Sequence, residues 1–452
     1  MIKPVNSVFV AIAWLCVYLM LVLAPLFVLL IGHVPSGSGF WWDFSMALGF
    51  TAMAMMGVQF LLTARFRHIS APFGIDIIYY FHRYLAIMAV SFILLHFLII
   101  KFIYPETLGS ANPLEAPFYM TSGRVALIIF SLMIISSLWR KQISIHYDEW
   151  RLLHIIFAVS GFLLAFTHIN GVAYYIDVPE KRWLWGVYAF LWLTLIIYIR
   201  LIKPWLMFKR PYKVIKIKQE RANSHTLVLQ PNSGHEIVHF KPGQFAWLTL
   251  NSSPWHIKEH PFSISCSAVN NRQIEFTIKD LGDFTHIIKD IKMGDTAYID
   301  GPYGIFSIDE YPQAKGYFFV TGGVGIAPVM SMLRSLADRH DKRPLVLICA
   351  NDHWQDVIFQ EDLNELKQCL NLNLLHVIKN TEEISSHNSQ DNWICKKGLI
   401  TEDIISALLP VDAENYEFFL CGPKPMSDSV QLILHKQNIP LGHIHLELFD
   451  MV

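Results

Sequence analysis

Residues 77–104, IIYYFHRYLAIMAVSFILLHFLIIKFIY, and residues 150–170, WRLLHIIFAVSGFLLAFTHIN, are each apolar enough to cross a membrane, and each carries two histidines. They are His82 and His96 in the first stretch and His154 and His168 in the second, and both pairs are fourteen residues apart. Fourteen residues of α-helix rise about 21 Å and turn the side chain through nearly four turns. Both members of a pair therefore look out from almost the same face, one near each edge of the hydrocarbon. Ionisable groups at this depth are costly and mark a pathway or a site. Of the chain's 20 histidines only these four fall inside apolar spans, and polar contacts that merely satisfied neighbouring helices would not require two equal spacings. If the two helices run parallel, His82 faces His154 and His96 faces His168. A structural zinc wants four ligands close together, or three with an open position, which two separated two-histidine sites do not supply. Two trans imidazoles on opposite faces of a flat macrocycle do fit, so the pattern reads as two b-type haems stacked across the bilayer.

The remaining apolar runs, 8–31, 44–62, 125–139 and 183–202, bring the spans to six. The third of these reaches full length only by including residues 118–124, given that a span needs about 20 residues. The first run lacks a small-residue cleavage pattern behind it and reads as a span, not as a removed signal. Basic residues including Arg65, Arg140, Lys141, Arg151, Arg200, Lys203, Lys209 and Arg210 fall on one side of the six spans. On the other side Lys101, Arg124, Lys181 and Arg182 are diluted by Glu106, Glu115, Asp177 and Glu180. The positive-inside rule then puts both termini in the cytoplasm, as in a multi-pass protein of a plasma membrane, with a bacterial inner membrane the expected setting. The two histidine-bearing helices both run outward, which makes His82/His154 the inner site and His96/His168 the outer one. With 452 residues, 53% hydrophobic, the chain is too long for one ordinary domain and too apolar to be wholly soluble. Its net charge of −1 gives no reason to expect nucleic acid. The six cysteines form no C-x-x-C, which predicts free thiols in a reducing compartment.

After Lys209 the pattern changes to short alternating segments broken by Gly and Pro. Residues 212–218, 226–229, 244–250, 262–267, 274–279 and 296–300 read as strands spaced as in a small antiparallel barrel. From Gly316 onward, strands at 317–321, 345–350, 373–378 and 417–421 alternate with helices, the order of a parallel nucleotide-binding sheet. The expected fold is thus a multi-domain membrane protein: a six-helix transmembrane bundle over residues 1–210, an antiparallel β-barrel over 211–312 and an α/β domain over 313–452. The segment TGGVGIAP (321–328) follows an apolar strand and opens a helix; its glycines let backbone amides approach a pyrophosphate at the helix N-terminus. Farther on, CGPKPM (421–426) puts a thiol and a tight turn at the same carboxyl edge of the sheet, where such sheets bind ligands.

The barrel segment HPFSIS (260–265), the loop LGDFT (281–285), TGGVGIAP and CGPKPM follow a six-helix bundle with paired histidines in this order. In that combination the chain resembles the ferric reductase and NADPH oxidase superfamily over essentially its whole length. The resemblance implies FAD bound by the barrel, NAD(P)H bound by the α/β domain, and two haems that lead electrons to the far side. It puts His260, Pro261, Phe262 and Ser263 at the flavin ring, with the Ser263 hydroxyl near N5, and Gly282 and Thr285 by the flavin phosphates. Gly322, Gly323, Gly325 and Pro328 would cradle the nicotinamide nucleotide, and Cys421 and Gly422 would sit where hydride is transferred. The superfamily also stacks a near-terminal aromatic on the isoalloxazine, for which Phe449 is the candidate.

A nicotinamide cofactor gives two electrons at once and a haem takes one, so a flavin must stand between them. The expected activity is electron transfer from cytoplasmic NAD(P)H through FAD and the two haems to a small external acceptor, a ferric iron chelate or dioxygen. A quinone or a periplasmic redox protein remains open as acceptor. A nucleotide-regulated proton channel is the alternative of a different class, and it explains neither the equal spacings nor the flavin segment. Lipid is the expected surrounding, and no feature indicates an obligate protein partner. One departure bears on the cofactor. Where NADPH-selective relatives often place an Arg after the second strand of the nucleotide lobe, this chain reads AND (350–352), and Asp352 would repel a 2′-phosphate and hydrogen-bond a ribose hydroxyl. The cofactor is thus NADPH or NADH, and Asp352 makes NADH a live hypothesis. Comparing kcat/KM for the two nucleotides on purified protein tests this, and an advantage of roughly tenfold or more for NADPH would refute the Asp352 logic.

Overall fold

All six apolar runs are helical in the computed structural model, which describes residues 4–32, 34, 38–66, 74–232, 234–256, 258–269, 272–280, 282–380 and 394–447. They are α1 (Pro4–Leu29), α2 (Phe40–Leu62), α3 (Ile75–Ile103), α4 (Phe118–Leu138), α5 (Tyr147–Val172) and α6 (Pro179–Phe208). All six are long and apolar enough to span a bilayer. α3 stops two residues before Pro105, as a helix does ahead of a proline, and α6 starts on Pro179, whose missing N–H costs nothing in the first turn. α6 runs past residue 202, where the apolar run ends, through a π turn at Tyr198–Ile202. Pro204 supplies a reason: it has no N–H to give Arg200, and its ring crowds the carbonyl four residues back.

The chain divides into two compact units, residues 1–204 and 205–452. In the first, α2 is the enclosed helix, with 56% of its span buried against 11–22% for the other five. Large apolar side chains such as Phe9, Met20, Phe102 and Phe190 stand exposed on the remaining helices, as lipid-facing residues do. Helices in lipid gain their contact from close backbone approach at small residues. Gly161 of α5 shows it, since a Cβ there would lie 2.7 Å from the Phe130 ring of α4.

In the second unit, β1 (Tyr212–Gln219), β2 (Ser224–Pro231), β3 (Phe245–Leu250), β4 (His260–Ser263), β5 (Ile274–Lys279) and β6 (Thr296–Tyr303) form an antiparallel sheet ordered β4-β3-β6-β1-β2-β5. An isolated bridge between Ile264 and Phe276 ties the two edges together and closes the barrel around Leu227, Leu229, Leu248 and Phe276. β7 (Gly316–Gly322), β8 (Leu345–Asn351), β9 (Leu372–Ile378), β10 (Ile394–Lys397), β11 (Tyr416–Cys421) and β12 (Ile444–Glu447) make a parallel sheet ordered β10-β9-β8-β7-β11-β12. The order reverses between β7 and β11, and the crevice beyond the strand ends at such a reversal is where α/β sheets bind ligands. α7 (Ile326–Asp338) and α8 (Gln360–Cys369) cover one face of this sheet, while α9 (Glu402–Leu408) and α10 (Lys424–Lys436) cover the other.

Arg334 of α7 pins the parallel sheet to the barrel. Its guanidinium donates to the Ser265 carbonyl at 2.8 Å, to Glu275 at 3.1 Å and to Asp362 at 2.5 Å, and Lys218 reaches Asp362 at 3.2 Å. Burial works to raise the Asp362 carboxyl, but the Arg334 and Lys218 charges outweigh it and hold the acid below its ordinary range. A carboxyl depressed in the folded state adds stability above its unfolded value, near 3.9, that is lost as pH falls through its folded value. Replacing Arg334 by Met leaves Glu275 without its guanidinium and Asp362 with Lys218 alone, and is expected to cost about 3 kcal/mol at neutral pH. The gap between variant and wild-type unfolding midpoints should shrink below about pH 4. A gap that stayed the same in acid would show that Arg334 acts by packing alone.

Candidate functional site

α3 and α5 bring the four intramembrane histidines together in pairs. The His82 and His154 rings lie 6.3 Å apart, centroid to centroid, at an interplanar angle of 61°. His96 and His168 line one cavity of about 180 Å³, walled mainly by apolar residues such as Met53, Ile100 and Phe130, with Trp42 and Arg124 among the polar contributors. A single water occupies about 10–15 Å³ by the same measure, so this space suits a large group. Because the pairs match in the same order, α3 and α5 run parallel.

The second ring nitrogen decides whether such histidines can act as ligands. The His96 Nδ1–H donates to the Ser45 carbonyl at 2.9 Å, and the Ser45 hydroxyl, 2.9 Å from the same nitrogen, donates to the His96 carbonyl. The His168 Nδ1–H donates to the Tyr119 carbonyl at 3.1 Å. At His154 the contact is weaker, 3.3 Å to the Ser137 hydroxyl, whose own proton goes to the Met133 carbonyl. A carbonyl only accepts, so the proton sits on Nδ1 and the lone pair on Nε2 is left for a metal. This is the arrangement found around metal-binding histidines, in which the outer hydrogen bond fixes ring orientation and raises basicity. The residues present therefore fit a haem-binding role: His96 and His168 would hold one group in the cavity, and His82 and His154 would hold a second. Gly123 is part of the fit: a Cβ there would come within 2.7 Å of His168 Nδ1. Arg124 lines the His96/His168 cavity with both terminal nitrogens donating to loop carbonyls, Ser110 at 2.8 Å and Leu108 at 2.6 Å.

In the second unit, Gly322 ends β7 and Cys421 ends β11, its parallel neighbour in register with Thr321. The two turns that follow touch. A Cβ on Gly325 would lie 2.2 Å from the Cys421 carbonyl, and one on Gly422 would lie 2.9 Å from the Gly322 amide nitrogen. Gly323, at φ 54°, takes a left-handed conformation that glycine adopts freely, and Pro328 lies buried in the first turn of α7. The result is a cradle of bare backbone at a helix N-terminus, suited to a pyrophosphate. Cys421 itself is fully buried; burial first, and the Glu447 carboxylate on β12 second, push its thiol far above the ordinary range, so it stays a neutral S–H. β4 carries His260, Pro261 and Phe262 half-buried, with Phe262 packed on the barrel core and Ser263 almost fully buried. Gly282 and Thr285 close a turn of their own, the Gly282 N–H donating to Thr285 Oγ1 and that hydroxyl to the Gly282 carbonyl, both at 2.8 Å. Asp352 is exposed at the end of β8, and Lys379 stands 3.7 Å from it, which softens the repulsion a 2′-phosphate would meet there. Phe449 lies outside the described residues.

Three family descriptions match consecutive parts of the sequence: a ferric reductase like transmembrane component over residues 48–166, an FAD-binding domain over 207–307 and an oxidoreductase NAD-binding domain over 319–432. The chain belongs to the ferric reductase and NADPH oxidase superfamily. This superfamily member is accordingly a multi-pass membrane protein that carries FAD- and NAD(P)H-binding domains. Its curated relatives include the glycine betaine monooxygenase reductase subunit of Chromohalobacter salexigens, 25% identical over 55% of this chain and 66% of the relative. The flavohemoprotein of Halalkalibacterium halodurans is 27% identical over 53% of this chain and 59% of the relative. The chain thus spans less than two thirds of the length of these relatives. Among solved structures, a flavohemoglobin from Malassezia yamatoensis aligns with a TM-score of 0.46 at 17% identity, covering 78% of this chain and 91% of that one.

Ser45, Ser137 and Tyr119 are the site residues that sequence reasoning passed over. The two serines stand out only as small polar residues within apolar spans, and Tyr119 acts through its backbone carbonyl, which carries no signature. A substitution separates the cradle from its surroundings. Gly325→Ala forces the β7 and β11 turns apart and is expected to weaken NAD(P)H binding at least about tenfold, whereas Gly442→Ala, with open space around it, should change binding less than about twofold. Nucleotide titration of the purified protein reads the difference.

Proposed function

We propose that this protein is an NAD(P)H-dependent transmembrane oxidoreductase that passes electrons, by way of FAD and two bis-histidine b-type haems, to a small acceptor across the membrane. A ferric iron chelate and dioxygen are the acceptors in view. The observation that carries this reading is the pair of histidine sites, fourteen residues apart on two parallel helices, with Nδ1 of His96, His168 and His154 already engaged. When bound, the nicotinamide supplies hydride, the flavin divides the electron pair, and the haems carry electrons singly. The protein's own share is to hold these groups. The glycine turns at 322–325 and 421–422 would orient the nucleotide, Ser263 and its β4 neighbours would face the flavin ring, and Gly282 and Thr285 would attend its phosphates. Cys421, fully buried with a neutral thiol, would back the cradle through its carbonyl against the Gly325 turn and would put no charge beside the dinucleotide.

Because His96 and His168 would both hold the outer haem, no position would be left there for an acceptor to bind directly. Lys101 and Arg124 near that end of the helices give anionic iron chelates an attractive field. A second reading rests on the aromatic edge of the same region. Trp42 packs edge-on against Tyr104 at 5.3 Å and against Tyr174 at 5.5 Å, a surface that suits a planar quinone. Loop charges support cytoplasmic termini and an inner-membrane setting.

An anaerobic optical spectrum of the detergent-purified protein, before and after NADH, tests the electron path. Two b-type haems per chain, reduced through FAD, are expected. His82→Ala and His154→Ala should each remove the same haem, and His96→Ala and His168→Ala the other. Full haem content in all four variants would overturn the assignment.

A further inference from the structure

Three of the four intramembrane histidines have an Nδ1 partner, and each partner comes from the helix that precedes the histidine in the chain. α2 serves His96 through Ser45, and α4 serves His168 through Tyr119 and His154 through Ser137. His82 is the exception: its Nδ1 is buried with no hydrogen-bond partner among the described residues. In the same membrane unit, Gln59 of α2 is 93% buried, and both its side-chain oxygen and its side-chain nitrogen also lack partners among the described residues. A buried amide with four hydrogen-bonding positions unused is costly in a bilayer, where no water can serve it.

The register of α2 against α3 sets these two orphaned groups at one level. The helices are antiparallel neighbours, so residues facing each other have numbers with a constant sum. Ser45 meets His96 near one end, and at the other a small cavity is lined jointly by Leu61, Leu62, Ile78 and Tyr79. Moving fourteen residues inward from Ser45 along α2 reaches Gln59, and moving fourteen back from His96 along α3 reaches His82. Fourteen residues keep nearly the same face on either helix. By register Gln59 therefore lies at the level of His82 as Ser45 lies at the level of His96, with no hydrogen bond between Gln59 and His82 in this structure.

We infer that Gln59 is the positioning residue for His82, its side-chain carbonyl accepting the Nδ1–H and so presenting Nε2 to the metal. This rests on the haem reading above. It completes a set in which every axial imidazole is held by the neighbouring helix of its own hairpin. A hydrogen-bond acceptor on Nδ1 makes the imidazole a stronger donor and favours the ferric state, so its loss shifts the haem to a higher potential.

The test is a redox titration of the purified full-length protein, followed at the haem α-band. In Gln59→Met one of the two haem waves is expected to move to higher potential, with the ferric-to-ferrous ratio at fixed potential falling roughly threefold to tenfold, the size of one hydrogen bond. Gln59→Glu keeps an acceptor oxygen and should return that wave to the wild-type position or below it. Ser45→Ala should leave the Gln59-sensitive wave in place. If both waves stay unmoved in Gln59→Met with two haems retained, Gln59 is packing only and the inference falls while the haem reading stands. If the wild-type protein carries no haem, or carries haem that His82→Ala does not remove, the haem reading itself has failed.

Discussion

An imidazole inside a bilayer has two nitrogens and no water to satisfy either, and the N-terminal unit is arranged around that constraint. Each histidine on α3 and α5 offers Nε2 only when its proton is on Nδ1, and an acceptor for that N–H favours this tautomer. The structure answers with the preceding helix: the Ser45 carbonyl for His96, the Tyr119 carbonyl for His168, the Ser137 hydroxyl for His154. α2 and α4 are thus clamps that set the ring planes of their neighbours. Their tight seating follows from this. Gly123 of α4 must lack a side chain for the His168 ring to fit, and Gly161 of α5 admits Phe130 between the two histidine levels.

The C-terminal unit solves a different problem, that of bringing two loops from distant parts of the chain onto one anion. Parallel strands end at the same edge, and the reversal of strand order between β7 and β11 opens a crevice there. The 322–325 turn and the 421–422 turn are each other's wall, at separations only bare backbone permits. Arg334 then fixes this lobe to the barrel through Ser265, Glu275 and Asp362, so a hydride donor and a flavin would be held on parts that do not drift relative to one another within the unit.

Much of this was legible in the sequence because its signals are strong and local. Apolar runs of membrane length, a repeated histidine interval and alternating strands led directly to the six helices, the antiparallel barrel and the parallel sheet. Boundaries were less legible. The strand expected at 262–267 is His260–Ser263 followed by a single bridge at Ile264, because a closing barrel corner breaks the ladder. β10 and β12 are four-residue edge strands, too short to show a period of two, and their place is decided by the strands beside them. α6 continues beyond its apolar run through a π turn that accommodates Pro204, a continuation that the length of the run does not announce. The histidine partners were least legible of all. A backbone carbonyl such as that of Tyr119 has no letter in the sequence, and a serine in an apolar span looks like any other small residue.

The parallel alignment of α3 and α5 has a consequence in symmetry. His154 follows His82 by the same 72 residues that separate His168 from His96. Each helical hairpin, α2 with α3 and α4 with α5, brings one ligand to each site, and in each a glycine of the first helix lies against the outer histidine, Gly49 under His96 and Gly123 under His168. The two hairpins therefore feed the two histidine pairs in the same order, α2 with α3 and α4 with α5. One such hairpin holds half of both sites and the whole of neither. Losing the register of either hairpin would therefore take one histidine from both pairs at once.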